Sequence, residues 1–201
     1  NRIYALDDFN DYYPTSLKKY RAAELQDNFG IKITKLNIAD RKKLKSFMET
    51  LQIDAIVHLA AQAGIRLPVS EYRRYSESNL TGFANLAELA CQYVIPSFIY
   101  ASSSSVYGDK QVTNFSENQK ELKPISYYGA TKLSNEILAN ILANQSETVF
   151  RGLRLFTVYG PKGRPDMAYF KLMRCALTGD TFTMYGDGKL LRDFTYIDDV
   201  I

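Results

Sequence analysis

The chain has 201 residues, 46% of them hydrophobic and 23% charged, a composition that fits one folded α/β domain and argues against disorder. Its formal net charge is +3, with basic residues scattered among acids, so no nucleic-acid-binding stripe is read. No apolar run approaches the roughly 20 residues of a membrane helix and no charged-then-apolar leader opens the sequence, while Cys91 and Cys175 lack metal-ligand spacing and read as reduced thiols, as in a cytoplasm.

In chain order, short apolar runs bounded by turn residues mark strands at 3–6, 31–36, 55–58, 97–101 and 148–155. Helical-period stretches separate them, at 15–28, 41–50, 80–93 and 128–144; the last carries Leu133, Ile137, Leu138, Ile141 and Leu142 at core-facing spacing. Such alternation predicts an α/β, Rossmann-like, doubly wound parallel sheet with helices on both faces. After Tyr159-Gly160-Pro161 the alternation weakens, and a helix at 167–177 is followed by short strands. Residues 1–160 therefore read as a dinucleotide-binding domain and 161–201 as the start of a smaller substrate lobe. Both ends look truncated, since a strand opens the sequence almost at once and Asp198-Asp199-Val200-Ile201 stops in mid-pattern.

Asp7 follows the first strand, where a dinucleotide fold places a carboxylate against the adenosine ribose hydroxyls. The Gly-rich turn expected about 20 residues earlier is not in the sequence. His58-Leu59-Ala60-Ala61-Gln62-Ala63-Gly64 closes the third strand with small residues, which suit either close approach of a flat cofactor or plain helix packing. His58, the sole histidine, reads as a satisfied core or supporting residue rather than a catalytic one.

The decisive constellation is Tyr128-Gly129-Ala130-Thr131-Lys132. Residues four apart share a helix face, so an ammonium and a phenol can meet there, and a nearby cation lowers the pKa of a phenol toward use as a base. The spacing alone also fits any amphipathic helix. Upstream, Tyr100-Ala101-Ser102-Ser103-Ser104-Ser105-Val106-Tyr107-Gly108 ends a strand in four hydroxyls, at the carboxyl edge where open α/β sheets bind ligands. Serine clusters after strands are otherwise ordinary caps and turns.

With these motifs, the chain resembles the extended short-chain dehydrogenase/reductases that act on nucleotide sugars, an NAD-dependent epimerase/dehydratase group, over essentially its whole length. Asp7 to Tyr13, His58 to Arg66, Ser102 to Gly108, and Thr157-Val158-Tyr159-Gly160-Pro161 with Gly163 to Ala168 look like the UDP-glucuronate 4-epimerase branch. The resemblance implies Tyr128 as base, Lys132 as its partner on the nicotinamide ribose, and Ser103 on the sugar 4-hydroxyl. It implies an NAD site lined by Asp7, Asn37, Ile38, Leu59, Ala60, Ala61 and Asn79 together with Tyr128 and Lys132. Tyr185 and Arg192 match positions for uridine and diphosphate, and a homodimer of polysaccharide biosynthesis is expected. Asn37 stands where these enzymes commonly carry Asp against the adenine amino group; its carbonyl oxygen can accept in the same way.

The opening step, proton and hydride removal at C4, is common to several reactions of the group. Dehydratases place an Asp-Glu pair just after the catalytic hydroxyl; here that pair is Ser104-Ser105, which favours simple return of hydride. A uronate substrate needs its carboxylate held, for which Ser104, Ser105, Thr157 and Arg164 are expected partners. The expectation is therefore NAD-dependent epimerisation of UDP-glucuronate to UDP-galacturonate through a 4-keto intermediate, without a metal. UDP-glucose/galactose 4-epimerisation and a non-catalytic NAD- or sugar-nucleotide-binding module are the alternatives.

Overall fold

The computed structural model describes residues 2–109, 114–184 and 191–201, in two units, Asn1–Arg154 and Leu155–Ile201. The first contains, in order, strand β1 (Ala5–Asp7), helix α1 (Thr15–Phe29), β2 (Ile33–Lys35), α2 (Arg41–Met48), β3 (Ala55–His58), α3 (Tyr72–Tyr75), α4 (Phe83–Gln92), β4 (Ser97–Ala101), α5 (Tyr127–Ala143) and β5 (Val149–Leu153). β1 pairs with β2 in parallel, Asp7 beside Lys35. A second parallel sheet has the order β3-β4-β5, with His58 beside Tyr100 and Tyr100 beside Gly152. The fold class is thus the expected α/β one, with the parallel strands grouped in separate sheets. Neither β1 nor β3 has a second strand partner among the described residues.

Two successive parallel crossovers, β3-α4-β4 and β4-α5-β5, share one hand and so lay both helices on the same face of the sheet. Phe98 and Tyr100 point there, since alternate residues of a strand share a face, and both are buried. Phe83 of α4 meets them edge-on, with ring centroids 5.8 and 5.2 Å away. Leu86, Leu89 and Ala90 of α4, Leu44 and Met48 of α2, and Ile95 complete the core. Each large apolar side chain buried here contributes roughly 1.5–3 kcal/mol.

The helix predicted to begin at 80 is entered earlier. A 3-10 turn (Val69–Glu71) leads into α3, and wide π-helical turns (Ser76–Gly82) join α3 to α4 without a break. The π turns shift the repeat away from 3.6, and Ser76, Glu77 and Ser78 offer no apolar marker, so a period-based reading catches the helix only from Leu80.

The second unit, from Leu155, contains β6 (Thr157–Tyr159), α6 (Ala168–Thr178) and β7 (Phe194–Tyr196). β6 and β7 are parallel, and Tyr159 packs its ring against Tyr196 and Tyr169, at centroid distances of 5.4 and 6.5 Å.

Candidate active site

Helix α5 begins at the site for a local reason. Ser126 caps it, its hydroxyl accepting the Gly129 N–H at 3.0 Å, the usual way an otherwise unpaired first-turn donor is satisfied. Gly129 lets this turn approach the segment after β4: a Cβ there would lie 2.7 Å from the Ser105 carbonyl oxygen. A side chain at 129 would push Tyr128 away from the hydroxyl cluster. Tyr128 is half-buried, and the Lys132 ammonium lies 5.8 Å from its ring centroid.

Lys132 is 2% exposed. Its ammonium donates to the Ala101 carbonyl oxygen at 2.7 Å, which ties α5 to the end of β4. Burial pushes the lysine down to about 8, because an ammonium removed from water loses hydration that one carbonyl does not replace. His58 is also buried, its ring between Phe83 and Phe98. Burial, with the Lys132 charge second, lowers its pKa to about 3, so it is neutral at pH 7. The expectation of a satisfied histidine fails in one respect: Nε2 has no hydrogen-bond partner.

Beyond β4 the chain turns through Ser102 and Ser103 into a 3-10 helix (Ser104–Tyr107). Ser103 caps it, accepting the Ser105 N–H at 3.1 Å and donating to the Ser105 hydroxyl at 3.1 Å. Gly108 ends the turn at φ 78°, where a Cβ would lie 1.9 Å from the Lys123 carbonyl oxygen; only glycine fits. The structure thus brings Ser103, Ser104 and Ser105 to the carboxyl end of β4, against the first turn of α5.

At the carboxyl ends of β1 and β2 lies a cleft of about 360 Å³ lined by Asp8, Lys35, Leu36, Asn37, Asp40 and Lys43. Asp7 is beside it, one oxygen accepting the Phe9 N–H at 2.6 Å. Asn37 already accepts the Ala39 N–H through its carbonyl oxygen, at 2.9 Å, and turns its amide toward Glu77. Ile38 is in the core, and its carbonyl accepts the Asn85 amide. Leu59 and Ala60 are exposed and Ala61 half-buried. Asn79 is buried and binds Gln62 at both N–H (2.8 Å) and carbonyl (3.1 Å), and also the Thr131 hydroxyl (3.1 Å). It splices the loop after β3 to α5.

Some participants escape a motif reading. Tyr75 and Tyr127 stack beside Tyr128, Tyr75 with its ring 6.2 Å from that of Tyr128 and its hydroxyl on the Gly64 carbonyl. Asn135 is 1% exposed with neither amide atom paired. Its i+3 spacing from Lys132 was the available signal.

The model of the NAD dependent epimerase/dehydratase family matches residues 4–201. The chain belongs to this family. UDP-glucuronate 4-epimerase 2 of Arabidopsis thaliana is 43% identical over 204 residues, 99% of this chain and 46% of that protein. CapI of Staphylococcus aureus is 41% identical, over 99% of this chain and 59% of its own length. Among solved structures, UDP-glucuronic acid 4-epimerase of Bacillus cereus in complex with UDP-glucuronic acid and NAD superposes with a TM-score of 0.89 at 35% identity, covering 97% of this chain and 61% of that one. The chain thus spans about half to three fifths of these relatives' lengths.

For a chain of this epimerase/dehydratase family, the remaining expected positions divide as follows. Thr157, Arg164 and Arg192 are in the second unit. Arg164 is bound to Asp166 by two parallel hydrogen bonds, 2.9 and 3.2 Å, and touches the Met167 sulfur. Its charge is largely offset where it stands. Arg192 is exposed and donates to the carbonyl of Leu191 at 2.7 Å. Tyr185 lies outside the described residues. No group of three or more His, Cys, Asp or Glu arranged for a metal ion, and no helix long and apolar enough to cross a membrane, occurs among the described residues.

Proposed function

We propose that the full-length protein is an NAD-dependent UDP-sugar 4-epimerase that interconverts UDP-glucuronate and UDP-galacturonate. The observation that carries this reading is the buried Lys132 beside Tyr128, with Ser103 to Ser105 at the same sheet end and no carboxylate in that serine run. Similarity to named UDP-glucuronate 4-epimerases along nearly the whole chain supports the substrate class.

The residues fit a dinucleotide. Asp7 and the cleft at the ends of β1 and β2 suit an adenosine, and Leu59 and Ala60 are exposed after β3. NAD, when bound, supplies the two-electron acceptor for C4 and returns the pair. Tyr128 takes the 4-hydroxyl proton and returns it to the same oxygen when the ketone is reduced on its opposite face. Lys132 holds positive charge beside it, and Ser103 donates to the sugar oxygen as it gains carbonyl character. Without an acid in the serine run, a 6-substituent has no proton donor there to help it leave, so the ketone is reduced again. UDP-glucuronate incubated with the full-length protein, followed by product separation, tests the reading: UDP-galacturonate is expected, and a 4-keto-6-deoxy or pentose product overturns it.

The pairing of Arg164 with Asp166 favours one alternative, UDP-glucose/galactose 4-epimerisation, because it leaves hydroxyls as the main partners for a sugar C6 group. Relative efficiency on the two sugars decides between them. The outer face of α5 exposes Ile137 and Ile141, and a shallow apolar groove beside it is lined by Leu80, Ala84, Ile137 and Leu138; we assign it to a homodimer, which sedimentation tests. Free Cys91 and Cys175 accord with a cytoplasmic enzyme of polysaccharide precursor supply.

A further inference from the structure

One half-buried polar assembly is not used by the chemistry above. Glu136 follows Lys132 by one turn of α5, and Arg154 follows β5; their side chains are only 14% and 17% exposed. Arg154 grips the carboxylate with two prongs, Nε to Oε1 at 3.0 Å and Nη2 to Oε2 at 2.8 Å. The same carboxylate accepts the Ser102 hydroxyl. Arg154 Nη1 donates to the Tyr107 hydroxyl and to the Glu117 carbonyl, both at 3.3 Å, and its guanidinium lies 5.0 Å from the Tyr107 ring centroid. The bond to Glu136 holds Arg154 firmly protonated.

The pair therefore touches both ends of the turn that carries Ser103 to Ser105: Ser102 before it and Tyr107 after it. A third tie is the Lys132 bond to Ala101. Two of the three anchors, Lys132 and Glu136, stand on the helix that carries Tyr128. A buried ion pair adds little net stability over apolar residues of equal volume. What it adds is direction, since its oxygens and N–H groups bind two hydroxyls at fixed angles.

We propose that the Glu136–Arg154 pair is a positioning device that sets Ser103 at its working distance from Tyr128; the proposal rests on the epimerase reading. The test uses the full-length protein carrying Glu136→Leu with Arg154→Met, which removes both charges together and so avoids stranding one. With misplacement near 1 Å costing about 100-fold in rate, kcat on UDP-glucuronate is expected to fall about 10- to 100-fold, with KM and bound NAD nearly unchanged. In a Ser103→Ala background the same double change should cost less than about threefold, because residues acting through one another are not additive. Arg154→Lys, which keeps the charge and loses the fork, should lower kcat in the same way and serves if the double variant does not fold. Hydrogen exchange over 102–107, where the Ser105 N–H is held by Ser103, should speed up while the amides of α4 do not change. Wild-type kcat, a full second loss in the Ser103→Ala background, or unchanged exchange over 102–107 would each overturn the proposal. If the wild-type protein epimerises no UDP-sugar, the functional reading falls by itself, and the exchange result alone decides whether the pair orders the serine turn.

Discussion

Helices α4 and α5 lie side by side on one face of the same three-stranded sheet and are built on opposite terms. The buried positions of α4 are Phe83, Asn85, Leu86, Ala87, Leu89 and Ala90; those of α5 are Gly129, Thr131, Lys132, Asn135 and Ala139. The first set is mostly hydrocarbon packed on Phe98 and Tyr100. The second is mostly polar and includes one cation, held by the Ala101 carbonyl, and one amide without partners. Burying polar groups without full pairing is unfavourable, so α4 holds the sheet together and α5 is held in place by what surrounds it. The difference separates what keeps the domain folded from what equips it for chemistry.

The sharpest break between the two helices comes from single substitutions with opposite readouts. Tyr128→Phe removes only the hydroxyl proposed to exchange the proton; turnover on a UDP-sugar should fall roughly 100- to 10,000-fold with Tm and NAD content unchanged. Phe83→Ala on α4 should cost about 3–5 kcal/mol in denaturant unfolding, with surviving folded protein turning over normally. A Tyr128→Phe protein that unfolds early, or a Phe83→Ala protein that stays as stable as the parent, would dissolve the contrast.

His58, its ring against Phe83 of α4 and Phe98 of β4, should give the acid response. Its pKa is near 3 in the fold and near 6.5 unfolded, so the unfolded chain binds the extra proton as the pH drops. The stability it contributes is complete above about 6.5 and is lost progressively toward 3. His58→Leu should flatten the stability profile across that window, measured by chemical denaturation at each pH.

The smallest effect on stability is expected at Lys132. Its folded pKa of about 8 against 10.5 means that its contribution is complete above 10.5 and lost as the pH falls to 8. At pH 7 the buried charge is a net cost. Lys132→Met, even after loss of the bond to Ala101, should raise stability by on the order of 1–2 kcal/mol while abolishing turnover, and the gain should vanish by pH 10.5. A variant that is less stable at pH 7 would show that the Ala101 tie outweighs the desolvation.

How much of this was legible beforehand depends on the kind of interaction. Strands at 55–58 and 97–101 coincide with β3 and β4, and the Tyr128 and Lys132 spacing places both on α5. Those readings succeed because periodicity and local spacing are properties of the chain itself. The continuity of this helix before Leu80 is not legible, because the π turns at 76–82 erase the 3.6 period. Glu136, Asn135 and Arg154 carry no decisive local signal, because a side chain's worth there depends on what faces it: Arg154 is 18 residues from Glu136 and 47 from Tyr107.

By itself the sequence determined the parallel α/β order of the first unit, the pairing of a phenol with an ammonium on one helix, and the four hydroxyls after β4. These follow from hydrophobic period, from four-residue helical spacing and from adjacency in the chain. Tertiary structure alone decided that Lys132 is dry and tied to Ala101, that His58 is neutral, and that one ion pair spans the serine turn. Each of these depends on desolvation or on a partner brought in from elsewhere, and burial is a property of the packed sheet and helices that no local stretch of residues carries.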